Sequence, residues 1–124
     1  MAEVRSYRDL LVWQRAMDVA VEVYDLTRSY PQNELFGLTS QSRRAAASIA
    51  ANIAEGYGRA RKLSYLHFLK IARGSLKELE THLILAERVG VTAAEATEPL
   101  LRQTDELGRM LHGLITRVDA KPLG

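Results

Sequence analysis

Apolar side chains recur at steps of three and four residues through four separate stretches of this chain, the spacing of one face of a helix. No stretch shows the residue-by-residue alternation of a half-buried strand. Trp13, Met17, Ala20, Tyr24 and Thr27 form the first stripe and predict a helix over about 9–29, with Val12, Ala16, Val19, Val23 and Leu26 beside them. The combined apolar arc covers more than half the circumference, so this helix needs neighbours on two sides. Asp9 is expected to cap its start. Tyr30-Pro31 is expected to stop it, because proline disfavours helical geometry in the residue before it.

A second helix is predicted over about 38–57, with Leu38, Ser42, Ala45, Ile49, Asn52, Ile53 and Gly56 on one side and Ala47, Ala50, Ala51 and Ala54 opposite. Gly56-Tyr57-Gly58 is expected to end it, since glycine readily takes the left-handed conformation that closes helices. The third, over about 64–89, has Ser64 as its expected N-cap, Leu63 stapled onto Phe68, and Gly90 as its stop. Its core face reads Tyr65, Phe68, Ala72, Leu76, Leu79, Leu83 and Ala86. The fourth, over about 93–119, opens on a Thr92-to-Glu95 capping box and carries Leu100, Thr104, Leu107, Leu111, Leu114 and Val118. Pro99 removes a backbone donor and predicts a kink or a start nearer Thr97. Residues 120–124 read as a loose tail.

Four segments of this length joined by short turns predict an all-α fold, an antiparallel up-and-down four-helix bundle formed by one domain over 1–124. Leu35 and Phe36, in the longest connection, are expected to fold back onto it. The 124 residues, 47% of them hydrophobic, suffice for one core. Absence of cysteine excludes disulfides, thiolate metal sites and cysteine nucleophiles, and fits a reducing compartment. The opening residues lack the apolar core of a signal peptide, and the apolar run from Ala45 to Ala54 is half the length of a membrane span. A cytoplasmic protein without a membrane partner is expected.

Charge changes this picture most. Between Leu35 and Lys77 stand Arg43, Arg44, Arg59, Arg61, Lys62, Lys70, Arg73 and Lys77 against one acid, Glu55, so the stretch sums to +7 while the remainder sums to −5. Such polarity gives a compact body one surface attractive to polyanions. These eight residues are the candidate contacts to RNA or DNA, with a merely solvated basic face, or an acidic protein partner, as the competing readings. The four alanines are either propensity filler or a smooth face for close approach. Together with the wide arc of the first helix, they point to a subunit interface.

Candidate chemistry is sparse. A di-metal bundle site needs about four inward carboxylates and paired Glu-x-x-His motifs. Glu78 and His82 could contribute one ligand between them, but His112 has no acid placed to match. No Gly-x-Ser-x-Gly elbow occurs, and Gly56-x-Gly58 follows a helix rather than a strand. Asn52 and Glu55 read as structural polar residues, the amide tying neighbouring helices and the carboxylate pairing with Arg59 or another arginine. A non-enzymatic protein without metal or cofactor is expected.

Three blocks carry a resemblance: Asp9-Leu-Leu-Val-Trp-Gln14, the run from Leu38 to Gly56 ending in Asn-Ile-Ala-Glu-Gly, and Phe68-Leu-Lys-Ile-Ala-Arg-Gly-Ser-Leu-Lys-Glu-Leu79. In this order and spacing the chain resembles the four helix bundle family, also called the 23S rRNA intervening sequence proteins, over about Tyr7 to Leu114. The resemblance implies a four-helix protomer assembling into a ring-like homopentamer. It further implies a relation to the accessory variability protein of diversity-generating retroelements, which works with a reverse transcriptase and nucleic acid. A nucleic-acid-associated accessory role follows as the leading expectation, and a scaffold that docks an acidic or helical protein as the alternative.

Overall fold

A computed structural model describes residues 3–123. Four helices account for most of them: α1 (Leu11–Thr27), α2 (Ser40–Gly58), α3 (Lys62–Arg88) and α4 (Ala94–Asp119). Each packs on the next and α4 returns to α1, closing a four-membered ring in cross-section. As α2 advances from Arg44 to Ser48 to Gly56, its partners on α3 recede from Glu78 to Ser75 to Phe68. Between α3 and α4 the same reversal links Glu80 to Thr104 and Glu87 to Thr97. Neighbouring helices therefore run antiparallel, with short connections of the kind an up-and-down bundle uses.

The core is continuous along the bundle axis. Ile49, Ile53, Leu69, Leu76, Leu79, Leu83, Leu107 and Leu111 are wholly buried, and small residues such as Ala16, Ala45, Ala46 and Ala72 let the backbones approach between them. Helix α1 is phased differently from its aromatic stripe. Val12, Ala16, Val19, Val23 and Thr27 face inward, whereas Met17 and Tyr24 are exposed and Trp13 and Ala20 lie at the margin. The narrow inward row suits a helix flanked by two others, and the bulkier row is left facing outward.

Helix ends depart from the expected capping. Asp9 caps a short turn, Tyr7–Asp9, in which Ser6 Oγ accepts from the Arg8 amide and Asp9 accepts from the Arg5 and Ser6 amides. Helix α1 starts after Leu10, held to that turn by Gln14, whose side-chain amide donates to the Arg8 carbonyl at 2.8 Å. Neither Ser64 nor the Thr92–Glu95 pair caps anything: α3 begins at Lys62 after Arg61, and α4 at Ala94 after Ala93, each without a side-chain cap. Leu63 is exposed rather than stapled. Pro99 lies inside α4, which runs unbroken from Ala94, so the start near Thr97 is not realised. Its exposed position leaves water free to satisfy the carbonyl it deprives of a donor.

Gly90 closes α3 with φ of +78°, but Gly56 and Gly58 stay helical. The left-handed residue after α2 is Ala60, with φ of +63°. An L-residue pays roughly 1–2 kcal/mol there that glycine avoids. Ala60→Gly is accordingly expected to raise stability by about 1 kcal/mol, read as a higher denaturant midpoint. An unchanged or lower midpoint would show that the turn stores no such strain.

The connection between α1 and α2 also departs from expectation. Glu34 accepts from the Leu38 amide at 3.1 Å and Thr39 is buried beneath the turn, yet Phe36 is 90% exposed, while Leu35 is 39% exposed. Phe36 does not fold back onto the bundle, and Leu35 is partly covered. A fixed turn therefore holds an aromatic ring out in solvent.

Candidate nucleic-acid and assembly surfaces

The cationic stretch does not form a single patch. Arg43 and Arg44, adjacent in sequence and therefore about 100° apart around α2, serve opposite flanks. Arg43 Nε donates to Thr27 Oγ1 at 2.9 Å and its guanidinium stacks 4.6 Å from the centre of the Tyr24 ring, both on α1. Arg44 pairs with Glu78 on α3 and with Gln41. Arg59 donates to Glu55 at 2.7 Å and lies over the Phe68 ring. Lys77 donates to Glu80 at 3.1 Å, and Glu80 also accepts from the buried Thr104 at 2.9 Å. Three of the eight predicted cations are thus committed to carboxylates, and Arg43 to the α1–α2 seam.

The remaining four differ. Among the described residues, Arg61, Lys62, Lys70 and Arg73 have no carboxylate within 4.0 Å, and neither has Arg88. Lys62 Nζ donates instead to the Lys121 carbonyl, 2.5 Å away, which ties the segment after α4 to the start of α3. Lys62, Lys70, Arg73, Lys77 and Arg88 fall within an arc of roughly 80° on α3, beside the buried Leu69/Leu76/Leu79/Leu83 row. From Lys62 to Arg88 this row is about 39 Å long at the helical rise. It reaches along the bundle as a strip, with Arg61 at its head.

Asn52, Ser48 and Ser75 form a polar chain within the bundle, whereas the buried Tyr30 and Ser42 hydroxyls make no hydrogen bond. Asn52 Nδ2 donates to the Ser48 carbonyl at 2.8 Å and lies 3.0 Å from Ser48 Oγ, which in turn shares a hydrogen bond with Ser75 Oγ on α3 at 2.8 Å. This chain connects α2 to α3. His82 Nε2 stands 3.5 Å from Glu78 and makes no hydrogen bond, while Glu78 binds Arg44. Among the described residues no three His, Asp or Glu side chains gather as a metal site would require. No helix of the described residues is long and apolar enough to cross a membrane.

The alanine face is only partly as expected. Ala47 and Ala51 are exposed and Ala54 is half-buried, but Ala50 is 4% exposed and belongs to the core cluster, because α1 closes over it. Together the alanines floor a groove of about 600 Å³ whose other wall is Tyr7, Trp13, Met17, Ala20, Val21 and Tyr24. Tyr7 packs edge-on against Trp13 at one end, with 5.2 Å between ring centres. At the other end Tyr24 and Ala47 border a second depression formed with Leu35, Phe36, Arg43 and Arg44. Phe36 was expected to fold back onto the bundle, and Trp13, Met17 and Tyr24 were read as one stripe of an arc that needs neighbours on two sides. The signal for an outward role was the apolar arc of the first helix, wider than one core face can bury.

A set of relatives shares this architecture. A solved structure of a protein with unknown function from the S23 ribosomal protein family of Bacteroides thetaiotaomicron superposes with a TM-score of 0.76 at 24% identity, covering 85% of this chain and 98% of the other. At that identity the likeness speaks for the fold alone. No curated protein matches the sequence. The family model described as 23S rRNA-intervening sequence protein matches residues 8–113, which include all four helices but for the last turns of α4. The chain belongs to the 23S rRNA-intervening sequence protein family.

Proposed function

We propose that this protein is a non-enzymatic, self-assembling helical bundle of the cytoplasm that associates with nucleic acid, foremost RNA, through the unpaired cations of α3 and the turn before it. The observation that carries the reading is the strip of Arg61, Lys62, Lys70, Arg73 and Arg88, none of which has a carboxylate partner among the described residues. A cation already paired gains little by meeting a phosphate, since it must give up one anion for another. An unpaired one releases counterions from the nucleic acid and contributes fully. Arg44, Arg59 and Lys77 are therefore secondary contacts, and Arg43 is a structural residue of the α1–α2 seam. Phosphate contacts of this kind hold a strand without reading its sequence.

Self-assembly is supported by the apolar groove between α1 and α2, and it would bring several such strips together, in the ring-like homopentamer that the family resemblance implies. Titration of a single-stranded RNA oligonucleotide at several salt concentrations tests the contact. Five phosphate contacts give a slope of log K against log salt of about −3.5, and Lys70→Glu with Arg73→Glu reduces its magnitude by about 1.4. Affinity that is indifferent to salt, or to this pair of reversals, would rule the strip out. The alternative, a scaffold that docks an acidic or helical protein, predicts partners retained after nuclease treatment and no RNA titration at all.

A further inference from the structure

We propose that Phe36 of one copy seats in the apolar groove between α1 and α2 of a second copy, an inference that rests on the self-assembly proposed above and names its central contact. The ring is 90% exposed, yet the turn beneath it is fixed by the Glu34 carboxylate on the Leu38 amide and by the Glu34 amide on the Pro31 carbonyl. Gly37 makes this possible: a Cβ there would sit 2.7 Å from the Glu34 carboxylate oxygen. A large apolar side chain carried on a rigid mount loses little entropy on docking, the property of an interface anchor.

The same chain supplies the receptor. Trp13, Met17, Ala20, Tyr24, Ala47 and Ala51 line the groove, and its own Phe36 lies outside it, in the neighbouring depression that shares Tyr24 and Ala47. Groove and knob together leave several large apolar side chains uncovered, Phe36 and Val21 more than half exposed and Tyr24 and Met17 about two-fifths, the kind of aromatic and apolar centre that specific interfaces bury. A polyanion is the poorer occupant. Arg43 beside the knob is held by Thr27 and Tyr24, Arg44 by Glu78, and Arg28 at the groove rim by Asp25, so none is free to hold a phosphate. A second copy brings one knob for every groove, which satisfies both apolar surfaces at once.

Absence of native cysteine allows a direct trap. In a chain carrying Phe36→Cys and Ala51→Cys, the two sites of one molecule are too far apart to join. Eleven residues of α2 alone, from Ser40 to Ala51, span about 16 Å, against the roughly 7 Å that a disulfide tolerates between Cα atoms. Mild oxidation is expected to give covalent dimers and higher species on a non-reducing gel, absent from either single variant. Phe36→Ala is expected to leave helicity and melting temperature unchanged while raising the dissociation constant of the assembly about 10- to 100-fold by sedimentation. If the parental protein assembles but the double-cysteine chain does not cross-link, and Phe36→Ala keeps its mass, the knob contact is wrong although self-assembly stands. A parental protein monomeric at high micromolar concentration overturns both. Loss of RNA affinity in Phe36→Ala at unaltered mass would instead make the ring a platform for a base and overturn the inference.

Discussion

Gly56→Leu is expected to lose about 1–3 kcal/mol of stability by overpacking the α2–α3 seam. Helix propensity alone predicts the opposite, because leucine in a helix is favoured over glycine by nearly 1 kcal/mol. Geometry outweighs it. A Cβ on Gly56 would sit 2.8 Å from Phe68 Cβ and 3.3 Å from the Tyr65 carbonyl oxygen, so the clash is with backbone-proximal atoms that cannot rotate away. The two helices must separate, and Arg59 would lose its perch over the Phe68 ring. Gly74→Ala is the matching control: no atom lies within 4 Å of its missing Cβ, so propensity acts alone and stability is expected to rise by about 0.5–1 kcal/mol. Urea midpoints for the two variants should move in opposite directions. A Gly56→Leu protein as stable as its parent would mean that the seam is loose.

Leu76→Ala is expected to cost about 2–5 kcal/mol, the range for emptying a wholly buried leucine site, and Gly108→Ala to recover part of that loss. Leu76 lies midway along α3 with no exposure, and its Cδ2 is 3.5 Å from where a Cβ on Gly108 would stand. In the parent, Gly108→Ala meets ordinary contact and gains up to about 1 kcal/mol from helix propensity. In the Leu76→Ala background the added methyl also enters the vacated volume, so the double variant should be more stable than the sum of the separate changes predicts. Coupling of about 0.5 kcal/mol or more in a double-mutant cycle is expected for residues in contact. Strict additivity would show that α3 and α4 relax around the void independently.

Helix number and order were legible because apolar side chains at steps of three and four leave one face that must be covered. Leu76, Leu79, Leu83, Leu100, Thr104, Leu107, Leu111 and Val118 were placed inward by spacing alone, and they are buried. Helix ends were read less well. Ser64, Thr92 and Asp9 have good capping chemistry, but a cap also needs an extended residue at the right place in the turn, and packing put those turns at Arg61, Ala93 and Ser6. Gly56 was read as punctuation and is a packing residue, since the need for a missing side chain arises only where another helix passes.

The candidate surface was legible as a total and not as a place. Eight cations and one acid within 43 residues are plain in the sequence, but just beyond that stretch Glu78 on α3 meets Arg44 on α2, and Glu80 pairs with Lys77 three residues before it on the same helix. The antiparallel register of α2 and α3 decides the Arg44–Glu78 pair, whereas Arg59–Glu55 and Lys77–Glu80 are neighbours on one helix.

By itself, then, the order of residues determined that this chain forms four amphipathic helices, which faces of α3 and α4 turn inward, and that cations concentrate in its middle third. These are local properties, set by periodicity and composition within one element. Only the tertiary structure decided that the aromatic stripe of α1 faces outward, that Ala50 is core while Ala47 and Ala51 are surface, and that Phe36 projects. Each depends on how closely two helices approach and at what rotation, which is settled by side chains far apart in the chain acting together.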